Sequence, residues 1–317
     1  MLNAASLRQI QRKQILYHSR YCNLRCHPTM SPQLTDLISH AESLLHRLEA
    51  ILPPPPPPID WKASAFRWRT RNGRGWLEAV SQPHRIRLAD LQGVEEQKQR
   101  IAQNTRQFVA GRSANNVLLT GARGTGKSSL VKAVLTEFAT QGLRLIEVDK
   151  DDLSHLPDMI EPLAGRAEKF IVFCDDLSFE SGEPGYKALK SVLDGSISGM
   201  PNNLLVYATS NRRHLMPEKM AENREVSRTE DGDVHPGETT EEKVSLSERF
   251  GLWLSFYPFS QDHYLDICAH WLAELGLPAA DIPATRHEAL QWALMRGSRS
   301  GRVAWQFARD YAGQKSG

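Results

Sequence analysis

The eight residues from Gly121 to Ser128 have the composition and spacing of a phosphate-binding loop. They satisfy the pattern G-x-x-x-x-G-K-[ST], and their glycines let backbone N–H groups turn inward at dihedrals that a side chain would forbid. We expect Lys127 between the β- and γ-phosphates of a nucleotide, and the Ser128 hydroxyl in the shell of a Mg²⁺ ion. The predicted cofactors are therefore ATP and Mg²⁺. The predicted binding residues of this Walker A loop are Gly121, Ala122, Arg123, Gly124, Thr125, Gly126, Lys127, Ser128 and Ser129.

The segments that flank this loop separate a true motif from a chance match in a glycine-rich turn. An apolar run at 117–120 precedes the loop, and an amphipathic helix is expected from Lys127 to about Thr140. A buried strand, the loop and the start of a helix therefore follow one another, as the motif requires. The helix would direct the positive end of its dipole at the triphosphate.

Two acidic residues after the apolar run 170–174 form a candidate Walker B segment. We expect Asp175 to hold the Mg²⁺ ion through its water shell, and Asp176 to orient or deprotonate the attacking water. The bland alternative is a pair of acids that cap the end of a strand. The preceding phosphate loop favours the catalytic interpretation.

Apolar runs and helical patterns alternate along the middle of the chain, which predicts an α/β fold with a doubly wound parallel sheet. A helix is expected at 95–108, and strands at 117–120, 143–148, 170–174, 204–208 and 253–256. From about Gln261 onward only helical patterning remains, which predicts a small lid. The expected division is an N-terminal extension at 1–59, a basic and aromatic arm at 60–87, a nucleotide-binding domain at 88–259 and a helical lid at 260–317.

Composition limits the class of protein. The chain has 317 residues, of which 40% are hydrophobic, as in an ordinary globular protein. Its net charge of +2 is too small to indicate nucleic-acid binding. The four cysteines lack the spacing of a disulfide framework, which favours a reducing cytoplasm. No stretch of 18 apolar residues occurs, so we expect no membrane span.

The beginning of the chain leaves several alternatives open. Its first 35 residues contain no acid and several basic residues, which is typical of a targeting peptide or of an upstream extension before a start at Met30. Whether residues 1–29 are present in the native protein is therefore open. A helical leucine pattern from Leu34 to Ile51 leads into the proline run 53–58, which predicts a stiff spacer. The helix could mediate self-association, dock a partner or fold back onto the body.

Aromatic and basic residues alternate between Trp61 and Trp76. This composition is typical of a surface that stacks and tracks single-stranded nucleic acid. It is equally typical of an arm clamped onto a neighbouring domain, with Trp and Phe buried and Arg at the rim.

From Phe66 to Tyr311 the chain resembles an AAA+ ATPase, and in particular the bacterial family known as domain of unknown function 815. The resemblance implies an AAA+ type P-loop NTPase with a five-stranded parallel sheet flanked by helices, a small C-terminal helical lid and an N-terminal helical extension. The runs that carry it are 88–94, 121–130, 173–180, 208–215 and 245–252.

The resemblance also implies catalytic roles for residues outside the two Walker segments. Asn211 would be sensor 1 and hold the lytic water with Asp176, although an Asn here could also cap a helix. Arg249 would be an arginine finger that reaches the γ-phosphate of an adjacent subunit; the alternative is a surface salt bridge. In the lid, Arg302 is chosen over Arg299 as sensor 2, because it opens the apolar stripe of the last helix.

The remaining implied residues lie around the base and after the fourth strand. Leu91, Gly93 and Val94 resemble the segment that packs on adenine. Many AAA+ enzymes carry Glu at the position of Asp176, so slow hydrolysis, or assistance from Glu180, is expected. The polar insertion 217–244 would be solvated surface or a loop that faces a partner.

These observations favour an oligomeric ATP hydrolase that couples Mg²⁺-ATP binding and hydrolysis to remodelling or loading of a macromolecular partner. The alternative is a slow ATP-gated switch that binds DNA or protein. A small-molecule kinase is disfavoured, because the sequence shows no recognisable acceptor pocket.

Overall fold

The computed structural model describes residues 32–51, 57–179, 183–194, 200–211, 227–228, 234–235 and 246–315. The chain divides into two units, Met1–Pro56 and Pro57–Gly317. The described part of the first unit is the helix α1, Pro32–Ile51, on which Leu37, Ile38, Leu44 and Leu45 are exposed. No helix in the described ranges is both long and apolar enough to cross a membrane.

A seven-stranded sheet forms the centre of the second unit, in the order β2-β1-β4-β5-β6-β3-β9. Its strands are β1 Ala65–Arg71, β2 Arg74–Ala79, β3 Val117–Gly121, β4 Leu143–Val148, β5 Lys169–Cys174, β6 Leu204–Ser210 and β9 Leu252–Phe256. A separate two-stranded pair consists of β7 Ser227–Arg228 and β8 Val234–His235. Within the seven-stranded sheet, neighbouring strands are parallel except for the antiparallel pair β1 and β2. The strands β7 and β8 are also antiparallel. The predicted α/β fold is confirmed, but the expected count of five strands is wrong, because β1 and β2 extend the sheet at one edge.

The two additional strands come from the basic and aromatic arm. Along β1 the buried Phe66 and Trp68 alternate with Arg67 and Arg69, as a strand with one buried face requires. Arg67 pairs with Glu147 on β4 at 2.7 Å, and Arg69 pairs with Glu78 on β2 at 2.8 Å. Phe66 and Trp68 are only 1% and 4% exposed, so they cannot stack on nucleic acid. For these two side chains the structure agrees with the clamped-arm alternative, and nucleic-acid binding elsewhere between Trp61 and Trp76 stays a prediction.

Residues 246–248 are helical, and eight α-helices of five residues or more also lie in the described ranges. They are α1 Pro32–Ile51, α2 Glu95–Val109, α3 Lys127–Phe138, α4 Leu156–Ile160, α5 Pro184–Asp194, α6 Gln261–Glu274, α7 Arg286–Met295 and α8 Gly301–Lys315. Short 3₁₀ turns at Leu88–Asp90 and Ala139–Gln141 precede α2 and follow α3. The helices α6 to α8 form the predicted lid.

Apolar side chains cover both faces of the sheet. One core combines residues of α2 and α3 with those of the lid, among them Phe108, Val134 and Tyr264. The other core combines the β1 residue Phe66 with residues that precede or lie on α4 and α5. Every residue of β6 is buried. Because both faces of this strand are covered, its sequence contains a continuous apolar run, and that run predicted the strand. The lid shares a core with the phosphate-loop helix, and this packing sets the walls of the cleft described next.

Candidate nucleotide site

Three parallel strands end together at the edge where the predicted residues lie. The strand β6 lies between β3 and β5, with Thr120 opposite Ser210 and Cys174 opposite Ala208. The phosphate loop after β3, the acids after β5 and Asn211 after β6 are therefore neighbours at the carboxyl ends of their strands. This is the edge at which open α/β sheets bind ligands.

The phosphate loop requires glycine at its start for a steric reason. Gly121 has φ 129°, and a Cβ atom there would lie 1.9 Å from the carbonyl oxygen of Phe256 on β9. Gly126 has φ 96° and is the residue just before α3. Both conformations disfavour an L side chain. The loop backbone can adopt this path only with the residue types that the motif specifies.

The Lys127 side chain lies inside the loop and is 5% exposed. Its Nζ donates hydrogen bonds to the carbonyl oxygens of Gly121 at 2.7 Å and Ala122 at 2.8 Å, and to Oδ1 of Asn211 at 2.9 Å. Burial lowers the pKa of Lys127, while the carboxylates of Asp175 and Asp176 oppose this shift. The ammonium group is thus held next to the acids in a position where phosphate oxygens could replace its present partners.

Ser128 and Asp175 supply oxygen atoms of the kind that Mg²⁺ prefers. The Ser128 hydroxyl donates to Oδ1 of Asp175 at 2.6 Å. One hydroxyl and one carboxylate at the mouth of the phosphate loop match a site that binds Mg²⁺ with few protein ligands, several waters and nucleotide phosphates. The donor set of these two residues therefore fits the predicted ion.

Asp176 is joined to the end of the neighbouring strand. Asn211 donates from Nδ2 to Oδ1 of Asp176 at 2.5 Å, so the two residues predicted to handle the water are in contact. Arg123 of the phosphate loop lies 3.9 Å from Oδ2 of the same carboxylate. Glu180, which could assist Asp176, lies outside the described residues.

A cavity of about 1000 Å³ opens over this edge. Phosphate-loop residues from Arg123 to Ser129 line it, as do Asp175, Asp176 and Asn211. Of the residues expected near adenine, Leu91 and Val94 line the cavity, whereas Gly93 does not. A Cβ atom at Gly93 would lie 3.3 Å from the Phe259 ring, and its φ is 73°, so packing and backbone conformation account for this glycine.

The lid contacts the phosphate loop directly. The backbone N–H of Gly301, the first residue of α8, donates to the carbonyl oxygen of Gly124 at 2.8 Å. Arg302, the next residue, lines the cavity, whereas Arg299 does not. The structure thus places the chosen sensor 2 candidate at the cavity and the alternative candidate away from it.

Sequence reasoning missed the wall of the cavity that Arg87 and the lid helix α6 form. Arg87 pairs with the buried Asp90 at 2.6 Å and with Glu274 on α6 at 2.9 Å, and all three residues line the cavity. Trp271 and Trp305 of the lid, which also line it, pack edge to face with centroids 4.6 Å apart. Trp271 could have been found from the apolar stripe of α6, on which it lies. The contact between Arg87 and Glu274 had no local signal.

Arg249 lies outside this cavity. It precedes β9 and forms an ion pair with Asp194, the last residue of α5. The side chain therefore forms an ion pair, as the salt-bridge alternative expects, and its role as a finger for another subunit stays a prediction. The insertion 217–244 lies outside the described residues except for β7 and β8.

Comparisons with known proteins place the chain in a family. Two solved structures that it resembles are a point variant of Thermotoga maritima RuvB, with TM-score 0.47 and 14% identity, and the E. coli MS115-1 HORMA:CdnC:Trip13 complex, with TM-score 0.44 and 13% identity. The match covers 70% of this chain in both cases, 63% of the RuvB chain and 90% of the matched chain of the complex. A search of curated proteins finds no match. Residues 61–315 match the family described as "Protein of unknown function (DUF815)". The chain's phosphate loop, mostly parallel sheet and helical lid are the features that the sequence predicted for an AAA+ type P-loop fold. On the family match, the chain belongs to the DUF815 family.

Proposed function

We propose that this protein is an ATP hydrolase that uses Mg²⁺ and acts on a macromolecular partner as a homo-oligomer. The observation that carries the proposal is two sets of contacts at the cavity, which are joined because Asp175 and Asp176 are consecutive in the sequence. Lys127 contacts Asn211, Asn211 contacts Asp176, and Ser128 contacts Asp175. Cation, water-orienting pair and metal-binding oxygens thus meet at one edge of the sheet, which is the arrangement that phosphoryl transfer needs.

Each of these side chains has a distinct role in the proposed reaction. Lys127 gives up its contacts with loop carbonyls and neutralises charge on the β- and γ-phosphates. Ser128 and Asp175 would hold Mg²⁺, which would supply positive charge beside the phosphates. Asp176 accepts a hydrogen bond from the attacking water, and Asn211 fixes the carboxylate that does so. Stabilisation of charge in the transition state then requires a further cation.

The proposal of an oligomer rests on the position of Arg249. This residue matches the finger position of the resembled family, yet it pairs with Asp194 and does not line the cavity of its own chain. An arginine on this surface can reach the cavity of an adjacent subunit more readily than the cavity of its own chain. In a ring of copies, each site would receive the cation of the next subunit, and the movement of lid against core would act on the partner.

A second function, an ATP-gated switch with slow hydrolysis, is favoured by the side chain at the water position. Asp176 is one methylene shorter than Glu, which retracts its carboxylate from the cavity. Such a protein would bind ATP, keep it for long periods and present a surface to DNA or protein. The ratio of turnover to nucleotide dissociation separates the two functions, because a remodelling ATPase turns over ATP faster than it releases it.

Asp176→Asn is expected to lower single-turnover ATP cleavage by about 10²-fold or more, because general-base and water-orienting groups contribute about 10²–10⁴-fold. The amide keeps the size of the side chain, so ATP affinity should stay near the wild-type value. Glu180→Gln is the matched control. If only the Glu180 variant loses cleavage, Asp176 does not orient the water.

Arg302→Ala is expected to weaken binding of a non-hydrolysable ATP analogue by about 10–100-fold, since a hydrogen bond to a charged group contributes about 1.5–3 kcal/mol. Arg299→Ala provides a control on the same segment of the lid, because Arg299 does not line the cavity. Equilibrium titration of both variants measures the difference. A loss of affinity in Arg299→Ala alone would assign sensor 2 to that residue instead.

A further inference from the structure

One side chain contacts both acidic residues from behind the site. Thr209, on β6, is 1% exposed, and its hydroxyl donates to Oδ1 of Asp175 at 2.5 Å. The same hydroxyl accepts a hydrogen bond from the backbone N–H of Asp176 at 2.9 Å. A carboxylate only accepts and a backbone N–H only donates, so the chemistry of the partners fixes both directions.

The main chain of Thr209 adds a third contact. Its carbonyl oxygen accepts from the backbone N–H of Leu177 at 2.6 Å. The turn from Asp175 to Leu177 is therefore tied to a single buried residue of the neighbouring strand. Sequence analysis assigned no role to Thr209.

At Asp175 the threonine hydroxyl restrains the carboxylate. Oδ1 of Asp175 accepts from Thr209 on the strand side and from Ser128 on the loop side, at 2.6 Å. Two hydroxyl donors on one oxygen hold the plane of the carboxylate in one orientation. Without Thr209, Asp175 could rotate about its side-chain bonds and lose its register with Ser128.

At Asp176 the threonine stabilises an unusual backbone conformation. Asp176 has φ 53°, in the left-handed region that non-glycine residues rarely adopt. Its backbone N–H is held by Thr209 and also lies 3.1 Å from Oδ1 of Asp175. This conformation directs the side chain to Asn211, which donates to it. Strained backbone of this kind persists where its surroundings hold it in place.

We propose that Thr209 is a positioning residue that orients Asp175 toward the metal and Asp176 toward the water. The inference rests on the proposed function, since it assigns a role within that reaction. Residues that orient metal ligands typically change metal affinity or activity by about 10–100-fold when they are replaced. Thr209 acts through the two acids and is not itself expected to touch nucleotide.

The test compares Thr209→Val, which keeps the shape but removes the hydroxyl, with Thr209→Ser, which keeps the hydroxyl. The affinity for a non-hydrolysable ATP analogue is measured by titration calorimetry with excess Mg²⁺ and again in EDTA. We expect Thr209→Val to reduce the gain in affinity that Mg²⁺ provides by about 10-fold or more, and to leave the affinity in EDTA within about threefold. Thr209→Ser should restore most of the gain. Turnover by Thr209→Val should fall by about 10–100-fold with little change in KM.

Thr105→Val is the matched control, because Thr105 is also fully buried and its hydroxyl bonds to the Tyr207 hydroxyl at 2.8 Å. Tyr207 lies on β6 two residues before Thr209, so this variant loses a buried hydroxyl near the same strand without touching the acids. We expect it to lower the melting temperature while the effect of Mg²⁺ on affinity stays that of wild type. If Thr209→Val does not fold, Thr209→Ala takes its place in the same titrations.

An unchanged Mg²⁺ effect in a folded Thr209 variant without the hydroxyl would overturn this inference alone, provided that the wild-type chain hydrolyses ATP. An equal loss in Thr209→Ser and Thr209→Val would also overturn it, because the hydroxyl would then not matter. A wild-type chain that neither binds nor hydrolyses ATP would overturn the proposed function, and this inference with it.

Discussion

Replacement of Arg249 by alanine is expected to lower ATP turnover by about 10³-fold or more, while ATP affinity stays near the wild-type value. The size of the effect follows from the role of an arginine finger, which stabilises charge that develops only in the transition state. The unchanged affinity follows from the position of Arg249 outside the cavity of its own chain. Steady-state hydrolysis and analogue binding, measured on the same preparation, check both parts.

The ion pair with Asp194 supplies the control for this prediction. If Arg249 had only a structural role, Asp194→Asn and Arg249→Ala would both leave ATP turnover near the wild-type value. An ion pair at the surface contributes only about 0–1 kcal/mol to stability. If Arg249 is a finger, Asp194→Asn keeps turnover and only Arg249→Ala loses it. Similar turnover in the two variants would contradict the finger assignment.

A mixing experiment tests whether Arg249 acts on another copy. Arg249→Ala chains keep an intact phosphate loop, and Lys127→Ala chains keep an intact arginine. Neither variant should hydrolyse ATP alone, but a mixture should regain part of the activity, because intact loops then face intact arginines. No recovery at any mixing ratio would contradict an assembly in which neighbours share sites.

The phosphate loop and the strand-end acids could be predicted because their signals are local. The pattern from Gly121 to Ser128 determines its own conformation, and a continuous apolar run followed by two acids marks a buried strand that ends at the site. The chosen sensor residues Asn211 and Arg302 also line the cavity. Asn211 follows the strand β6 and Arg302 lies at the start of the helix α8, and the sequence pattern indicates where each element ends or begins.

The contacts that could not be predicted join distant parts of the chain. Arg67 of β1 pairs with Glu147, 80 residues later, and without this partner the arginines of the arm resemble a nucleic-acid surface. Arg87 and Glu274 are 187 residues apart. The role of Thr209 also could not be predicted, because a threonine near the end of a strand has no spacing that distinguishes it from an ordinary strand residue. Its role follows only from the strand order, which places β6 beside β5.

The second large effect is expected at Lys127. Its ammonium group lies within hydrogen-bond distance of two loop carbonyls and Asn211, in a loop whose glycines leave the backbone open to a ligand. Charge-assisted bonds from this group to phosphate oxygens would contribute about 1.5–3 kcal/mol each, so their loss should weaken nucleotide binding by about 10–100-fold per bond. Lys127→Ala should therefore lose ATP binding and turnover together.

Lys169→Ala is a suitable control for the loss of one lysine. Its Nζ donates to the carbonyl oxygen of Asn202 and lies 5.4 Å from the centre of the Phe108 ring, and Lys169 is not among the residues that line the cavity. This variant should bind nucleotide as the wild type does.

Calorimetric titration with a non-hydrolysable ATP analogue and Mg²⁺ tests directly whether this cavity binds a triphosphate. The titration is carried out on the wild-type chain, Lys127→Ala and Lys169→Ala. We predict one site per chain in the wild type and in Lys169→Ala, and an affinity lower by about 10²-fold or more in Lys127→Ala. Equal affinity in all three proteins, or no binding by the wild type, would contradict the proposal that this cavity binds a triphosphate through Lys127.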